Sequence, residues 1–201
     1  WFMADPIPFG RYLRHHELCK GAYAKVWLAE DTILKRKVAL KILQPKWQDD
    51  ETARRRFEQE ARLASNLDHP CIALVYDIGE AESQLYLAMR YVEGESLDKV
   101  LKKRKQLPWG EVLTIAEQVA EALDYAHERN ILHRDIKPAN IILSPKGAVL
   151  TDFGLAKAIS AAESASMTGS NTGGIGTPHY CPPEIWKGEK KAGAPTPATD
   201  V

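Results

Sequence analysis

The sequence predicts an α+β protein with two lobes, in which a small antiparallel β-sheet with one helix precedes a mainly α-helical half. Two observations support this division. Strand-like segments rich in β-branched and aromatic residues are concentrated between about Tyr12 and Tyr91. The second half contains a long segment, Glu111 to Glu128, whose apolar residues recur at helical spacing. We therefore expect an N-terminal lobe over residues 1–91 and a C-terminal lobe over residues 92–201.

Three segments of the first half are predicted to be strands of one antiparallel sheet: Lys25–Ala29, Val38–Leu43 and Leu85–Met89. Between the second and third of these, the stretch from Glu51 to Leu67 is predicted to be a helix that begins after the capping residue Asp50. Its apolar side chains at helical spacing are Ala53, Phe57, Ala61 and Ala64. One helix should therefore pack on the sheet.

The second half is expected to begin with a linker, Gly94-Glu95-Ser96, that ends in a serine N-cap for a helix over Leu97–Leu101. The basic run Lys102–Lys105 then fits a solvated helix C-terminus better than a docking patch. The helix from Glu111 to Glu128 presents one apolar stripe, made of Val112, Ile115, Ala116, Val119, Ala122, Leu123 and Ala126. Residues 158–176 are mostly small or polar and should be mobile unless something holds them.

Composition excludes several classes of protein. The 27 basic and 27 acidic side chains give zero formal charge, so nothing favours binding to nucleic acid. The 3 cysteines are far apart, which argues against a disulfide framework or a zinc site. No apolar run is long enough to span a membrane and no signal peptide is evident, so we expect a cytoplasmic stretch. Both ends look cut, because Trp1-Phe2 precede the first methionine and the chain stops at Val201 without a turn signal.

A polar motif in the second half carries the chemistry. His133-Arg134-Asp135-Ile136-Lys137-Pro138-Ala139-Asn140 is followed, after a short apolar strand, by Asp152-Phe153-Gly154. This pair of motifs resembles the catalytic centre of a protein kinase. The resemblance implies a two-lobed protein-kinase-like fold, incomplete at the C-terminus of this chain. It also implies that Asp135 is the catalytic base, Lys137 stabilises the moving phosphoryl group, and Asn140 and Asp152 bind magnesium.

The first half carries the matching nucleotide motifs of that family. Cys19 to Val26 resembles the glycine-rich loop, although it keeps only Gly21 and Val26 of the pattern, with Cys19 and Ala24 in place of the outer glycines. An ordinary strand turn fits this segment as well. Val38-Ala39-Leu40-Lys41 is similar to the family's lysine-bearing strand, which implies that Ala39 lines the nucleotide site and that Lys41 pairs with Glu60 beside the phosphates. Met89, the Arg90 carbonyl and the Val92 amide take the places that face adenine.

Other positions refine the resemblance. His133 and Phe153 are expected to stack as packing residues, so His133 has no acid–base role. Lys137, together with Gly176-Thr177-Pro178-His179-Tyr180, is similar to serine/threonine kinases of the bacterial Hanks type, and Thr177 is then expected to bridge Asp135 and Lys137. Arg134 is implied to bind a phosphate on the activation loop, with Thr168, Thr172, Ser166 and Ser170 as acceptor sites. Cys181-Pro182-Pro183-Glu184 takes the place of the family's Ala-Pro-Glu segment, and Asp200 is expected to support the catalytic loop backbone.

The sequence thus favours a serine/threonine protein kinase that transfers the γ-phosphoryl group of ATP, with Mg²⁺, to a hydroxyl of a protein substrate. A pseudokinase or regulatory binding module is the alternative, because Cys19 and Ala24 alter the phosphate loop. A small-molecule kinase of related fold is a further alternative. The resemblance covers the chain from Tyr12 onward and implies a catalytic domain truncated after Val201. It leaves open whether the full-length protein has a membrane anchor beyond that residue.

Overall fold

The computed structural model describes residues 5–21, 23–153, 180 and 197–200, with the side chains at positions 56, 60, 198 and 199 outside that description. The chain divides into two compact units. The first comprises Trp1–Ser65 and Leu74–Tyr91, and the second comprises Asn66–Ala73 and Val92–Val201. The short segment Asn66–Ala73 therefore belongs to the second unit, although the residues before and after it belong to the first.

The first unit is built on a six-stranded antiparallel sheet with the strand order β1-β2-β3-β4-β6-β5. Its strands are β1 (Ile7–Phe9), β2 (Tyr12–Lys20), β3 (Ala24–Asp31), β4 (Arg36–Leu43), β5 (Val75–Ala81) and β6 (Gln84–Arg90). The alternation of β4 directs Val38, Leu40 and Ile42 to one face. There they form a buried cluster with Phe9, Tyr12, Ala29 and Ala88.

Helix α1 (Glu51–Ala64) is the helix of the first unit, and it begins where the sequence predicts. The Asp50 carboxylate accepts hydrogen bonds from the Thr52 amide at 2.9 Å and the Ala53 amide at 3.0 Å. These bonds satisfy two of the free amides of the first turn. Of the predicted apolar stripe, Ala53, Phe57 and Ala61 are at most 1% exposed, whereas Ala64 at the end of the helix is half-buried.

The second unit contains helices α2 (Leu97–Arg104) and α3 (Trp109–His127) and a three-stranded sheet. Its strands are β7 (Glu95–Ser96), β8 (Ile141–Ser144) and β9 (Gly147–Leu150), in that order. Helix α3 starts slightly earlier than predicted, because the Pro108 carbonyl accepts the Val112 amide at 3.1 Å and so closes the first turn.

The predicted linker before α2 is wrong in part. Glu95 and Ser96 pair with Leu143 and Ile142 and therefore form strand β7. Ser96 does stand at the N-cap position of α2, but its side chain makes no capping hydrogen bond. Its hydroxyl instead bonds to the Asp98 side chain, which lowers the pKa of Asp98. The turn is thus fixed through Asp98.

The segment Asn66–Ala73 is bound to the second unit by backbone pairing. Ile72 forms a parallel bridge with Leu150, and the Leu150 amide donates to the Cys71 carbonyl at 2.8 Å. The Ala73 amide donates to the Leu150 carbonyl at 2.8 Å. Ile72 is 1% exposed, so the bridge is also an apolar contact.

These two units confirm the predicted α+β class, with a curled antiparallel sheet and one helix first and helices afterwards. Among the described residues, none of the helices has both the length and the apolar character that crossing a bilayer requires.

Candidate active site

Asp135 is held by two neighbours from its own loop. Lys137 Nζ lies 2.6 Å from Asp135 Oδ2, and Asn140 Nδ2 donates to the same oxygen at 3.0 Å. Asn140 Nδ2 also donates to the Asp135 backbone carbonyl at 2.9 Å. The Asp135 side chain is 11% exposed and that of Lys137 22%. The three residues that the sequence singles out for catalysis and metal binding are therefore brought together, with Oδ1 of Asp135 outside both contacts.

Asn140 is placed by a short 3₁₀ helix, Pro138–Asn140, which starts with proline because the first helical position needs no backbone donor. The Asn140 amide donates to the Lys137 carbonyl at 2.9 Å. Its own carbonyl accepts from the Thr151 amide at 2.9 Å and from the Thr151 hydroxyl at 3.3 Å. The loop is thereby fixed to the residue that directly precedes Asp152.

His133 is a packing residue, as the sequence predicts. It is 0% exposed, and its ring centroid lies 4.6 Å from that of Phe153. Its Nε2 is 2.9 Å from the Thr151 carbonyl, so this nitrogen carries the proton. Burial lowers the pKa of His133, outweighing the Thr151 carbonyl and the carboxylates of Asp200, Asp135 and Asp152, which raise it. A neutral buried ring suits a structural role.

Asp200 supports the loop from behind. Its carboxylate accepts the His133 amide at 2.7 Å and the Arg134 amide at 2.5 Å, and it lies 2.9 Å from His127 Nε2. Arg134 has a φ of 66°, a left-handed conformation that is uncommon outside glycine. Because strained backbone persists only where its surroundings fix it, Asp200 is what holds Arg134 in this conformation. This placement agrees with the support expected of Asp200.

Asp152 also has a left-handed backbone, with a φ of 62°. It follows Thr151, which is bonded to Asn140, and precedes Phe153, which is 5% exposed. Asp152 is half-buried. Asn140 and Asp152, the two residues assigned to magnesium, therefore lie in chain segments that are joined by the hydrogen bond from the Thr151 amide to the Asn140 carbonyl.

One face of the first unit's sheet carries four of the residues assigned to the nucleotide. Val26 on β3 is the direct partner of Lys41 on β4, and Ala39 is the direct partner of Met89 on β6. Direct partners in an antiparallel pair project from the same face, and so do residues two apart in a strand. Val26 is 9% exposed and Met89 6%, whereas Ala39 and Lys41 are half-buried. The face is thus apolar with one lysine among these four side chains.

The other residues assigned to the nucleotide belong to the β2–β3 turn, helix α1, the end of β6 and the start of the second unit. Gly21 is exposed in the β2–β3 turn, where its amide donates to the Ala24 carbonyl at 2.9 Å. Its backbone is not in the left-handed region, and an added Cβ would lie 3.4 Å from the Ala24 oxygen. Arg90 is the last residue of β6, and its amide donates a hydrogen bond to the Leu74 carbonyl at 2.8 Å. Val92 is half-buried at the start of the second unit.

Several predicted positions lie outside the described residues. They are Thr177, the acceptor sites Ser166, Thr168, Ser170 and Thr172, the segment Cys181–Glu184, and the side chain of Glu60. Glu60 itself belongs to helix α1. Its pairing with Lys41 stays a prediction, as does the bridge from Thr177.

Two residues that shape the loop are not predicted from the sequence. The Thr151 carbonyl accepts a hydrogen bond from His133 Nε2, and the Thr151 amide donates one to the Asn140 carbonyl. His127, in the last turn of α3, lies within hydrogen-bonding distance of Asp200. Backbone contacts such as those of Thr151 leave no residue-type signal. His127 follows the apolar stripe of α3, where a histidine is also an ordinary helix C-terminal residue.

Comparison with known proteins agrees with this geometry. The protein kinase domain family matches residues 12–201. The serine/threonine-protein kinase PrkC of Bacillus subtilis is 41% identical over 193 residues, which are 96% of this chain and 28% of that protein. Serine/threonine-protein kinase PknA of Mycobacterium tuberculosis is 39% identical over 198 residues, 96% of this chain and 44% of PknA. A crystal structure of the Mycobacterium tuberculosis PknI kinase domain gives a TM-score of 0.72 at 34% identity, covering 100% of this chain and 73% of that one.

The chain therefore belongs to the protein kinase domain family. The relatives named above are bacterial serine/threonine-protein kinases. It spans 28% of PrkC and 44% of PknA, so most of the length of these relatives lies outside the match.

Proposed function

We propose that the protein to which this domain belongs transfers the γ-phosphoryl group of ATP to a serine or threonine hydroxyl of a protein substrate. The observation that carries this proposal is the Asp135 carboxylate, oriented by Lys137 Nζ at 2.6 Å and Asn140 Nδ2 at 3.0 Å. An aspartate fixed in this way is suited to orienting an attacking hydroxyl.

Asp135 acts as the base in this proposal. Both side-chain contacts are made by Oδ2, so Oδ1 faces the acceptor hydroxyl and takes its proton as the phosphoryl group is transferred. Asn140 keeps the carboxylate from rotating, because it bonds both Oδ2 and the backbone carbonyl of Asp135. The backbone of the loop is in turn fixed by Asp200.

Lys137 serves two purposes. Its ammonium group orients Asp135, and it lies beside the carboxylate where the acceptor hydroxyl is expected. A fixed cation at that place stabilises the charge that develops on the transferred phosphoryl oxygens. It needs no large movement to do so.

A magnesium ion fits the donor groups present. Because Asn140 Nδ2 donates to Asp135, the side-chain oxygen of Asn140 is the atom that would bind a metal. The second ligand would be the carboxylate of Asp152, which follows Thr151, the residue hydrogen-bonded to Asn140. Among the described residues no group of three His, Cys, Asp or Glu side chains is arranged to hold a metal. Mg²⁺ accepts such a site, because it binds one or two protein oxygens and takes its other ligands from phosphates and water. When bound, it would neutralise charge on the nucleotide phosphates.

The sheet face of Val26, Ala39, Lys41 and Met89 is proposed to bind the nucleotide. Its apolar side chains suit a flat adenine ring, and Lys41 supplies a cation for the α- and β-phosphates. The Arg90 carbonyl and Val92 amide would bond the adenine edge. Glu60 on α1 is proposed to hold the Lys41 ammonium in place.

The test is the substitution Asp135→Asn. An amide cannot accept the hydroxyl proton but has nearly the same shape, so phosphorylation should fall more than about a hundred-fold while ATP binding is kept. Turnover is measured with labelled ATP and Ser/Thr peptides, and ATP binding by calorimetry. Asp124→Asn, at an exposed position on α3, is the matched control and should leave both unchanged.

Two outcomes would overturn the proposal. Turnover by the Asp135→Asn protein above about a hundredth of the wild-type value would show that Asp135 is not the catalytic base. Wild-type protein that binds ATP without transferring phosphate would favour the pseudokinase alternative, for which Cys19 and Ala24 in the phosphate loop are the motivating residues.

A further inference from the structure

We propose that Gln44 and Trp47, which follow strand β4, hold the β2–β3 loop and thereby position it for ATP. The loop joins β2 to β3 within Cys19–Val26, the segment that resembles the glycine-rich loop of kinases. Neither Gln44 nor Trp47 belongs to that motif or to any other assigned above. The inference rests on the proposed function, because it gives the loop a nucleotide to bind.

Gln44 bonds the loop at two carbonyl groups. Its backbone amide donates to the Tyr23 carbonyl at 2.7 Å, and its side-chain Nε2 donates to the Gly21 carbonyl at 2.6 Å. The two acceptor residues are two positions apart in the sequence. A single residue that follows β4 therefore bonds the loop at two points.

Trp47 adds an aromatic contact to the same loop. Its ring centroid lies 5.1 Å from that of Tyr23, with the ring planes at 45°. The indole Nε1 is buried and has no hydrogen-bond partner among the residues that the structure describes. Lys46 Nζ lies 5.0 Å from the Trp47 ring centroid. Trp47 belongs to the 3₁₀ helix Pro45–Trp47, which starts directly after Gln44.

The composition of the loop makes such restraint effective. Cys19 and Ala24 occupy positions where glycine would give the backbone more freedom, and the Gly21 amide closes the turn on the Ala24 carbonyl at 2.9 Å. A loop that is already ordered loses less conformational entropy when it closes on a ligand. Gln44 and Trp47 should therefore contribute to ATP affinity without touching the reacting atoms, which makes them positioning residues.

The experiment combines amide exchange without nucleotide and steady-state kinetics with ATP. In Gln44→Ala, the loop peptide should exchange faster, and KM for ATP should rise about three- to ten-fold, as expected for one lost hydrogen bond. The kcat value should change less than KM, because the interaction is the same in the ground and transition states. Trp47→Leu should act in the same direction, whereas Trp47→Phe keeps a ring and should restore both readouts.

Gln106→Ala is the matched control, since this glutamine is exposed in the second unit. If amide exchange in the loop were unchanged in Gln44→Ala, Gln44 would not hold the loop, whatever the kinetics show. Faster exchange with an unchanged KM would overturn the positioning role. Wild-type protein that binds no ATP would instead contradict the proposed function and, with it, the role of Gln44 and Trp47 in ATP binding. The exchange rates test separately whether these two residues hold the loop.

Discussion

At the scale of single residues, the catalytic loop combines strained backbone with buried carboxylate support. Arg134 and Asp152 have φ values of 66° and 62°, and they flank the residues proposed for catalysis. Each such conformation costs about 1–3 kcal/mol. Asp200, whose side chain is 0% exposed, holds the backbone amides at one of them. The loop is therefore fixed before any substrate binds, which is the condition for the transition-state stabilisation proposed for Asp135 and Lys137.

Lys41→Met is expected to lower phosphoryl transfer about a hundred-fold or more, because it removes the proposed cation from the nucleotide face while keeping an apolar stem. Incorporation of phosphate, measured by mass spectrometry, is the readout. Lys37→Met is the control, since Lys37 is exposed on the same strand. Normal phosphate incorporation by the Lys41 variant would contradict the role of this lysine.

The sequence predicts those site residues that belong to one contiguous motif. Asp135, Lys137 and Asn140 lie within a few positions of one another, so local geometry brings them together. His127 and Gln44 could not be predicted in this way. Their partners, Asp200 and Gly21, are distant in sequence, and the contacts depend on how helices and strands pack. A histidine after an apolar stripe and a glutamine after a strand are ordinary surface residues by type.

At the scale of elements, prediction succeeds where hydrophobic periodicity is strong. The strands β3, β4 and β6 and the helices α1 and α3 each have clear apolar spacing, and all are present. The sequence does not predict strand β2, because the centre of this strand is Arg-His-His-Glu. The strand also carries irregularities between Arg14 and His16 and between Glu17 and Cys19. Strand β7 has 2 residues, which is too short for any periodicity.

Asp50→Ala is expected to destabilise the protein by about 1 kcal/mol, because it removes the N-cap of α1 and leaves two amides of the first turn without a protein acceptor. Urea unfolding followed by circular dichroism gives the free energy of unfolding. The neighbouring Asp49 is exposed, so Asp49→Ala should have an effect within about 0.5 kcal/mol. Equal losses in the two variants would show that a general charge effect, not capping, is responsible.

At the scale of the whole molecule, the two units are not separated at a single point of the chain. Asn66–Ala73 belongs to the second unit, although residues on both sides belong to the first. Tyr125 on α3 accepts the Asp68 amide at 3.3 Å, and its ring lies 5.1 Å from His69. Together with the pairing of Ile72 and Leu150, these contacts anchor the segment at two places. No composition signal marks this excursion, because it follows from backbone pairing with a distant strand.

Ile72→Ala is therefore expected to destabilise the second unit, although the residue lies between two parts of the first. Ile72 is 1% exposed, and truncating a buried isoleucine to alanine costs about 2–5 kcal/mol through lost burial and the remaining cavity. Hydrogen exchange should rise at the Leu150 and Ala73 amides, which the bridge protects. Ile33→Ala is the matched control, since Ile33 is 69% exposed and its truncation should cost less than about 0.5 kcal/mol. If exchange in the Ile72 variant rose in strands β2 to β4 and not at Leu150, the segment would be stabilising the first unit instead.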